Sequence, residues 1–266
     1  HEPFVLPDRI PLAGYSRRGG EPSTGSHDQV GARALVVQDG DTLAALISCD
    51  LLIVDERLFE AVRGRLTAEG LPEDLTLLLA ATHTHSGPGA YGTRFVEKLS
   101  MGHFNPAVFE AIVQAATQAA LRAYAARAPV RMVYFTSPTE GLVRNRVMPD
   151  GAVDAELIVV GFYRPGAREP FAVLVNFAAH PTTLGSWNME LSADYPGVVV
   201  RELERRVSGS MGFFVAGAVA DQGPVKSGSA FEPSDRIGGT LAQQAAALLR
   251  DARPEPPPAV HAHQAQ

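Results

Sequence analysis

The chain has 266 residues, 45% hydrophobic and 20% charged, with a formal net charge of -6. It is long enough to bury a substantial core as one large domain or two closely fused ones. The acidic balance argues against a nucleic-acid partner, and isolated pairs such as Arg17-Arg18 and Arg205-Arg206 read as a solvated face; a single cysteine, Cys49, excludes an intrachain disulfide and a cysteine-based zinc site.

Residues 1 to 31 are rich in Gly, Pro, Ser and Arg and predict an irregular segment over the core, with Pro11-Leu12-Ala13-Gly14-Tyr15 either packing or lining a cleft. The chain opens on His1 rather than Met, which carries the expectation of a removed leader and of a secreted or periplasmic protein. Ala32 to Gln38 and Thr42 to Asp50 flank Asp39-Gly40-Asp41, a hairpin signal, and Asp50 could turn its acid toward a site. Cys49 reads as a small buried filler. Asp55 to Gly70 repeats apolar residues at Leu58, Ala61, Val62 and Leu66, which predicts a helix with Asp55 as N-cap and Gly70 as its stop.

Leu75 to Thr82 is a continuous apolar run, read as a buried strand that Ser86-Gly87-Pro88-Gly89 breaks. Strand, helix and strand in succession predict a crossover unit, with the next loop at the sheet edge where ligands bind in open α/β sheets. That loop holds His83 and His85. In an extended backbone, residues two apart share a face, so the pair can converge on one point as metal ligands or as hydrogen-bonded structural histidines. Thr82, Thr84 and Ser86 alternate with them and are expected to fix the imidazole tautomers.

Residues 92 to 105, with Met101, His103 and Phe104, read as a loop, either a lid or a packed surface segment. Pro106 to Arg127 is the longest helix pattern. Val130 to Thr136 and Glu140 to Val147 read as strands, the second placing Arg144 and Arg146 on one face, for surface salt bridges or for stabilising an oxyanion. Ala155 to Tyr163 and Glu169 to Ala178 form a further hairpin-like pair that runs into Ala179-His180-Pro181, a second histidine at a strand end. Asp194 is expected to cap a helix from Pro196 to about Val207. Met211 to Ala216 is a last strand, Gly217 to Pro224 a small-residue turn with Asp221, and Ser234 to Arg250 the final helix. The reading is an α/β fold, a mixed β-sheet core flanked by helices. A single catalytic domain spans 1–250, and a Pro-rich flexible tail, 251–266, carries His261 and His263.

Thr82-His83-Thr84-His85-Ser86-Gly87-Pro88-Gly89, Asn145-Arg146, Asn176-Phe177-Ala178-Ala179-His180 and Ser192-Ala193-Asp194-Tyr195 together resemble the N-terminal catalytic region of neutral/alkaline non-lysosomal ceramidases. The resemblance spans roughly residues 10 to 240 and implies a zinc amidase that hydrolyses the amide of an N-acyl lipid through a metal-activated water. By it His83 and His180 match the family's zinc histidines, His85 the histidine that contacts substrate, and Arg146 the arginine beside the scissile amide. The family's Gly-Asp-Val-Ser-Pro-Asn loop appears as Gly217-Ala218-Val219-Ala220-Asp221-Gln222, so Ala220 stands at the serine position, which argues against serine-based chemistry. The family takes a glutamate and a tyrosine ligand from sequence beyond this region. Asp50, Asp194, Tyr195 or Asp221, water, or a part supplied elsewhere would complete the shell. Two other classes stay open: a non-catalytic metal- or lipid-binding module of the same fold, and a hydrolase of other amides or esters.

Overall fold

The computed structural model describes residues 1–253. Its elements in chain order are β1 (Glu2–Pro3), a 3₁₀ turn (Ser16–Arg18), β2 (Gly25–Ser26), β3 (Gly31–Asp39), β4 (Thr42–Cys49), α1 (Glu56–Ala68), β5 (Thr76–Ala81), α2 (Phe95–Met101) and α3 (Pro106–Ala125). There follow β6 (Arg131–Pro138), β7 (Val143–Asn145), β8 (Glu156–Tyr163), β9 (Ala172–Phe177), β10 (Glu190–Leu191), α4 (Asp194–Arg206), β11 (Met211–Ala216), β12 (Gln222–Pro224) and α5 (Glu232–Arg250). The Pro-rich segment from 254 onward, with His261 and His263, lies outside the described residues.

Two four-stranded mixed sheets organise the chain, ordered β1-β3-β4-β5 and β11-β9-β8-β6. The first grows from the expected hairpin: β3 and β4 pair antiparallel with Asp39 opposite Thr42, and Gly40 turns the chain at φ 54°. Helix α1 then crosses over so that β5 pairs parallel to β4. Asp55 caps α1, its carboxylate accepting the Leu58 N–H at 2.8 Å. On one face of this sheet Ala32, Ala34, Ala45, Ile47, Cys49 and Leu77 form a core with Leu58, Val62 and Leu66 of α1 and with Val108 and Ile112 of α3. Small residues on β3 and β4 leave space for the apolar faces of the helices, and burial removes them from water. Cys49 belongs to this core, as its setting suggested, and burial pushes its thiol well above the ordinary range.

The second sheet buries Leu157, Val159, Val173, Val175, Phe177 and Phe214 against Tyr195, Val199 and Leu203 of α4 and Ile237 and Leu241 of α5. Its free edge, β11, meets the opposite face of the first sheet. There Ser48 Oγ donates to the Phe214 carbonyl at 2.6 Å and Arg33 Nη1 to the Gly212 carbonyl at 3.0 Å, so side chains of one sheet satisfy the edge acceptors of the other. Mixed sheets flanked by helices are the expected architecture, and β5, β9 and β11 all end near one another.

Three local expectations are corrected. Residues 92 to 105 contain a helix, α2, which starts where the Glu97 carboxylate accepts the Arg94 N–H at 2.7 Å. Asp194 is the first residue of α4 rather than the cap before it, at φ 57° and fully buried. The strand predicted over Glu140 to Val147 shrinks to β7, paired antiparallel with β12. Among the described residues no helix is long and apolar enough to cross a membrane.

Candidate metal centre

The two histidine loops meet because the two sheets place the ends of β5 and β9 side by side. The His85 N–H donates to the Pro181 carbonyl at 3.2 Å, and the Ser192 N–H to the Ser86 carbonyl at 2.9 Å, joining the loops through backbone. Three ring nitrogens converge there. Nε2 of His180 lies 3.0 Å from Nε2 of His83 and 3.0 Å from Nε2 of His85.

His83 and His85 converge by a route the sequence did not suggest. His83 takes the left-handed conformation at φ 66°, and the segment after β5 is not extended. A turn, not strand alternation, aims both rings at one point. The flanking hydroxyls also act differently from expectation. Thr82 Oγ1 points to Asp50 Oδ1 at 3.4 Å, Thr84 Oγ1 donates to the Ser192 carbonyl at 2.8 Å, and Ser86 Oγ meets Asn188 Nδ2 at 3.0 Å. They brace the loop and leave the tautomers to the backbone.

Each Nδ1 faces a carbonyl oxygen: His83 that of Leu52 at 2.6 Å, His85 that of Gly14 at 3.1 Å, His180 that of Val219 at 3.1 Å. A carbonyl only accepts, so all three rings carry their proton on Nδ1. All three Nε2 atoms then present lone pairs to the same small volume. Burial also keeps the rings neutral, because it disfavours imidazolium: His85 is pushed down to about 3, helped by the charges of His180 and His83, His180 to about 4, and His83 in the same direction. Three neutral rings with facing lone pairs cannot hydrogen-bond one another, and a cation resolves the repulsion. The donor set, three imidazoles within 4.8 Å of one another, suits Zn²⁺.

The acids and the tyrosine considered as further ligands are engaged elsewhere. Asp50 accepts the Gly31 N–H at 3.0 Å and lines a cavity of about 30 Å³ with Arg33, Ser48 and Thr82. Asp194 accepts from Thr183 Oγ1 at 2.5 Å, the Leu184 N–H at 3.2 Å and the Tyr195 N–H at 2.6 Å. The Tyr195 hydroxyl donates to the Ala179 carbonyl. These two residues clamp the segment on either side of His180 to the start of α4. Asp221 accepts from Asn145 Nδ2 and Gln222 Nε2, each at 2.8 Å, shaping the loop whose Val219 carbonyl holds His180. Among the described residues the three-histidine group has no carboxylate member.

Arg146 makes no ion pair among the described residues, which sets aside the surface salt bridge. Its Nε donates to the Ala220 carbonyl at 2.8 Å, and its charge acts on His83, His180 and Tyr15. Both arginines are exposed, but the charge of Arg144 is not among those that act on the three histidines.

The residue that sequence reasoning missed is Arg18. It is no solvated surface charge: the residue is 5% exposed, and its guanidinium donates to the His85 carbonyl at 2.6 Å and the Ala13 carbonyl at 2.8 Å. Gly14 beside it lies in the Pro11 to Tyr15 stretch expected to pack or to line a cleft; it has φ +108°, and a Cβ there would stand 2.7 Å from Cα, Cβ and Cγ of His85. The sole hint in the sequence was the Gly14-Tyr15 pair in a segment dense with turn formers.

In this mixed α/β protein, three neutral imidazoles gathered at strand ends form a group that could hold one metal ion. Residues 8–228 match the family described as neutral/alkaline non-lysosomal ceramidase, N-terminal, and the chain belongs to that family. It is 28% identical over 229 residues to the neutral ceramidase of Pseudomonas aeruginosa, covering 80% of this chain and 34% of that protein. With the neutral ceramidase of Mycobacterium tuberculosis it shares 29% identity over 219 residues, covering 75% and 34%. Among solved structures, one described as ceramidase complexed with C2 superimposes with a TM-score of 0.81 at 26% identity, covering 92% of this chain and 41% of that one. The chain thus spans about a third of the length of the curated relatives it matches.

Proposed function

We propose that this chain carries the histidine half of a zinc-dependent amidohydrolase centre, which cleaves the amide of an N-acyl sphingolipid or a related N-acyl compound. The observation that carries the reading is the set of three Nδ1-to-carbonyl bonds, which leaves three Nε2 lone pairs facing one point. Family membership and the relatives named as neutral ceramidases support the substrate class.

In this reading His83 and His180 hold the ion, and His85 and Arg146 address the substrate. A bound Zn²⁺ would act as a Lewis acid and lower the pKa of water. The neutral His85 ring is oriented by the Gly14 carbonyl and offers a nitrogen toward the reacting group. Arg146, anchored through Nε, presents its remaining N–H donors where negative charge gathers on the amide oxygen. Ala220 at the loop's serine position leaves no nucleophilic side chain there. Secretion or transport to the periplasm belongs to the same proposal and is tested by cell fractionation.

The deciding experiment is metal content of the purified chain beside His83→Ala, His180→Ala and His85→Ala, followed by turnover of N-acyl sphingosines, simple acyl amides and esters. Near-stoichiometric zinc that His83→Ala and His180→Ala abolish, with His85→Ala keeping the metal but losing turnover, is expected. Wild type that takes up no zinc overturns the proposal; zinc without hydrolysis of any amide makes the chain a binding module instead.

A further inference from the structure

Arg18 is an arginine with no acid beside it. It sits at the end of the 3₁₀ turn, is 5% exposed, and takes part in no ion pair among the described residues. Its neighbours are neutral acceptors drawn from three separate segments. Nη1 donates to the His85 and Ala13 carbonyls, Nε to the Asn188 carbonyl at 3.0 Å, and Nη2 to Ser86 Oγ at 3.3 Å and the Gly185 carbonyl at 3.4 Å. The guanidinium also lies over the Tyr15 ring, 4.9 Å from its centroid, and that ring sits 5.0 Å from the His85 imidazole. Tyr15 in turn donates to the Leu184 carbonyl at 2.9 Å.

Burying a charge without a counter-ion is costly, and it persists only where dipoles replace the lost water. The fork of five N–H donors suits that task, because it spans acceptors that a compact ammonium cannot reach together. The acceptors are not randomly placed. Ala13 precedes Gly14, whose carbonyl fixes His85 Nδ1, and the His85 carbonyl is itself one of the five. Both ends of the contact that orients the His85 ring are therefore tied to one guanidinium. The Gly185–Asn188 segment, which leads away from the His180 loop, is tied to it as well.

We infer that Arg18 is the positioning residue of His85: its guanidinium pins the Ala13–Gly14 and His85–Ser86 backbones together so that the His85 ring keeps one tautomer and one direction. Its kinetic consequence rests on the reading of His85 as a substrate-facing imidazole, whereas the structural consequence does not.

The test compares wild type, Arg18→Met and Arg18→Lys, with Arg33→Met as control. Arg33 is also an arginine that bridges segments, to Glu204 at 2.6 Å and to the Gly212 carbonyl, but none of its partners belongs to the histidine loops. Nitrogen-15 imidazole spectra of the metal-free and zinc-loaded chain read the tautomer of each histidine. Turnover of an N-acyl sphingosine is measured alongside. Arg18→Met is expected to turn the single Nδ1–H tautomer of His85 into an exchanging mixture, and to lower kcat at least tenfold with KM within about twofold. Arg18→Lys should fall between it and wild type, and Arg33→Met should lose stability with the His85 signals unmoved. A folded Arg18→Met with wild-type His85 signals overturns the inference. So does failure of both Arg18 variants to fold, which would assign the residue to the fold rather than to the ring. Wild type without turnover, but with the His85 tautomer released in Arg18→Met, sinks the hydrolase reading and leaves the positioning role standing.

Discussion

Replacing Gly14 by alanine tests the geometry of the centre more sharply than removing a ligand does. Gly14 holds φ +108°, where an L side chain is strained, and the added Cβ would stand 2.7 Å from three atoms of His85. Neither side can yield freely. The Gly14 N–H donates to the Ser100 carbonyl at 2.9 Å, and the Gly14 carbonyl holds His85 Nδ1. Backbone strain costs about 1–3 kcal/mol and forced overpacking about 1–3 kcal/mol more, together a large share of the roughly 5–15 kcal/mol that stabilises a domain. If the backbone gives way instead, the His85 ring swings off the common point of the three Nε2 atoms. Gly40→Ala is the matched control: Gly40 also has positive φ, but a Cβ there meets nothing within 4 Å. Urea unfolding of the metal-free chain and turnover of N-acyl amides by the zinc-loaded chain should show Gly14→Ala destabilised by several-fold more than Gly40→Ala, or its turnover reduced with zinc retained, or both. Equal stability and equal turnover in the two variants would refute the packing argument.

Other consequences follow from single contacts. Burial raises Asp50 to about 7 from 3.8, so between roughly pH 4 and 7 the folded chain holds a proton that the unfolded chain has released, and stability falls as pH rises through that window. Asp50→Asn, lacking this group, should match wild type near pH 4 and exceed it in melting temperature near pH 8; the histidines shift the other way but are common to both and cancel in the difference. Tyr195→Phe strips the Ala179 carbonyl of its hydroxyl donor and should cost about 1–3 kcal/mol in chemical denaturation, because that acceptor lies in a buried segment. Arg146→Ala should leave zinc content unchanged and reduce turnover of N-acyl amides more than tenfold; unchanged turnover would remove Arg146 from the substrate's side of the site.

Much of this architecture was legible in the sequence because it is written in local pattern. Strands around Asp39-Gly40-Asp41, the capped helix after Asp55, and the apolar run into the histidine motif each carry their signal within a dozen residues. The failures have a common cause. Helix α2 turns Phe95, Val96 and Leu99 outward and buries Glu97 and Met101, so its periodicity points away from a helical reading. Arg18 is buried because of acceptors up to 170 positions away, and no local pattern records them. Asp194 and Tyr195 were visible as candidates, but whether they face a metal or brace the chain depends on Thr183, Leu184 and Ala179, which only the fold brings to them.

The centre itself shows where legibility must end. The histidines are side chains and can be read, but what orients them is backbone: the carbonyls of Leu52, Gly14 and Val219, supplied by the end of the first hairpin, the N-terminal segment and the loop after β11. A carbonyl is present whatever the residue, so these positions carry no chemical signature in the sequence. They also come from three segments far apart in the chain, so no fragment holding one histidine loop can fix the three tautomers. Conservative changes in the Leu52 and Val219 side chains should therefore leave the ring orientations intact. Changes that move the backbone at those positions, such as proline after Leu52, should release His83 while every ligand side chain remains in place.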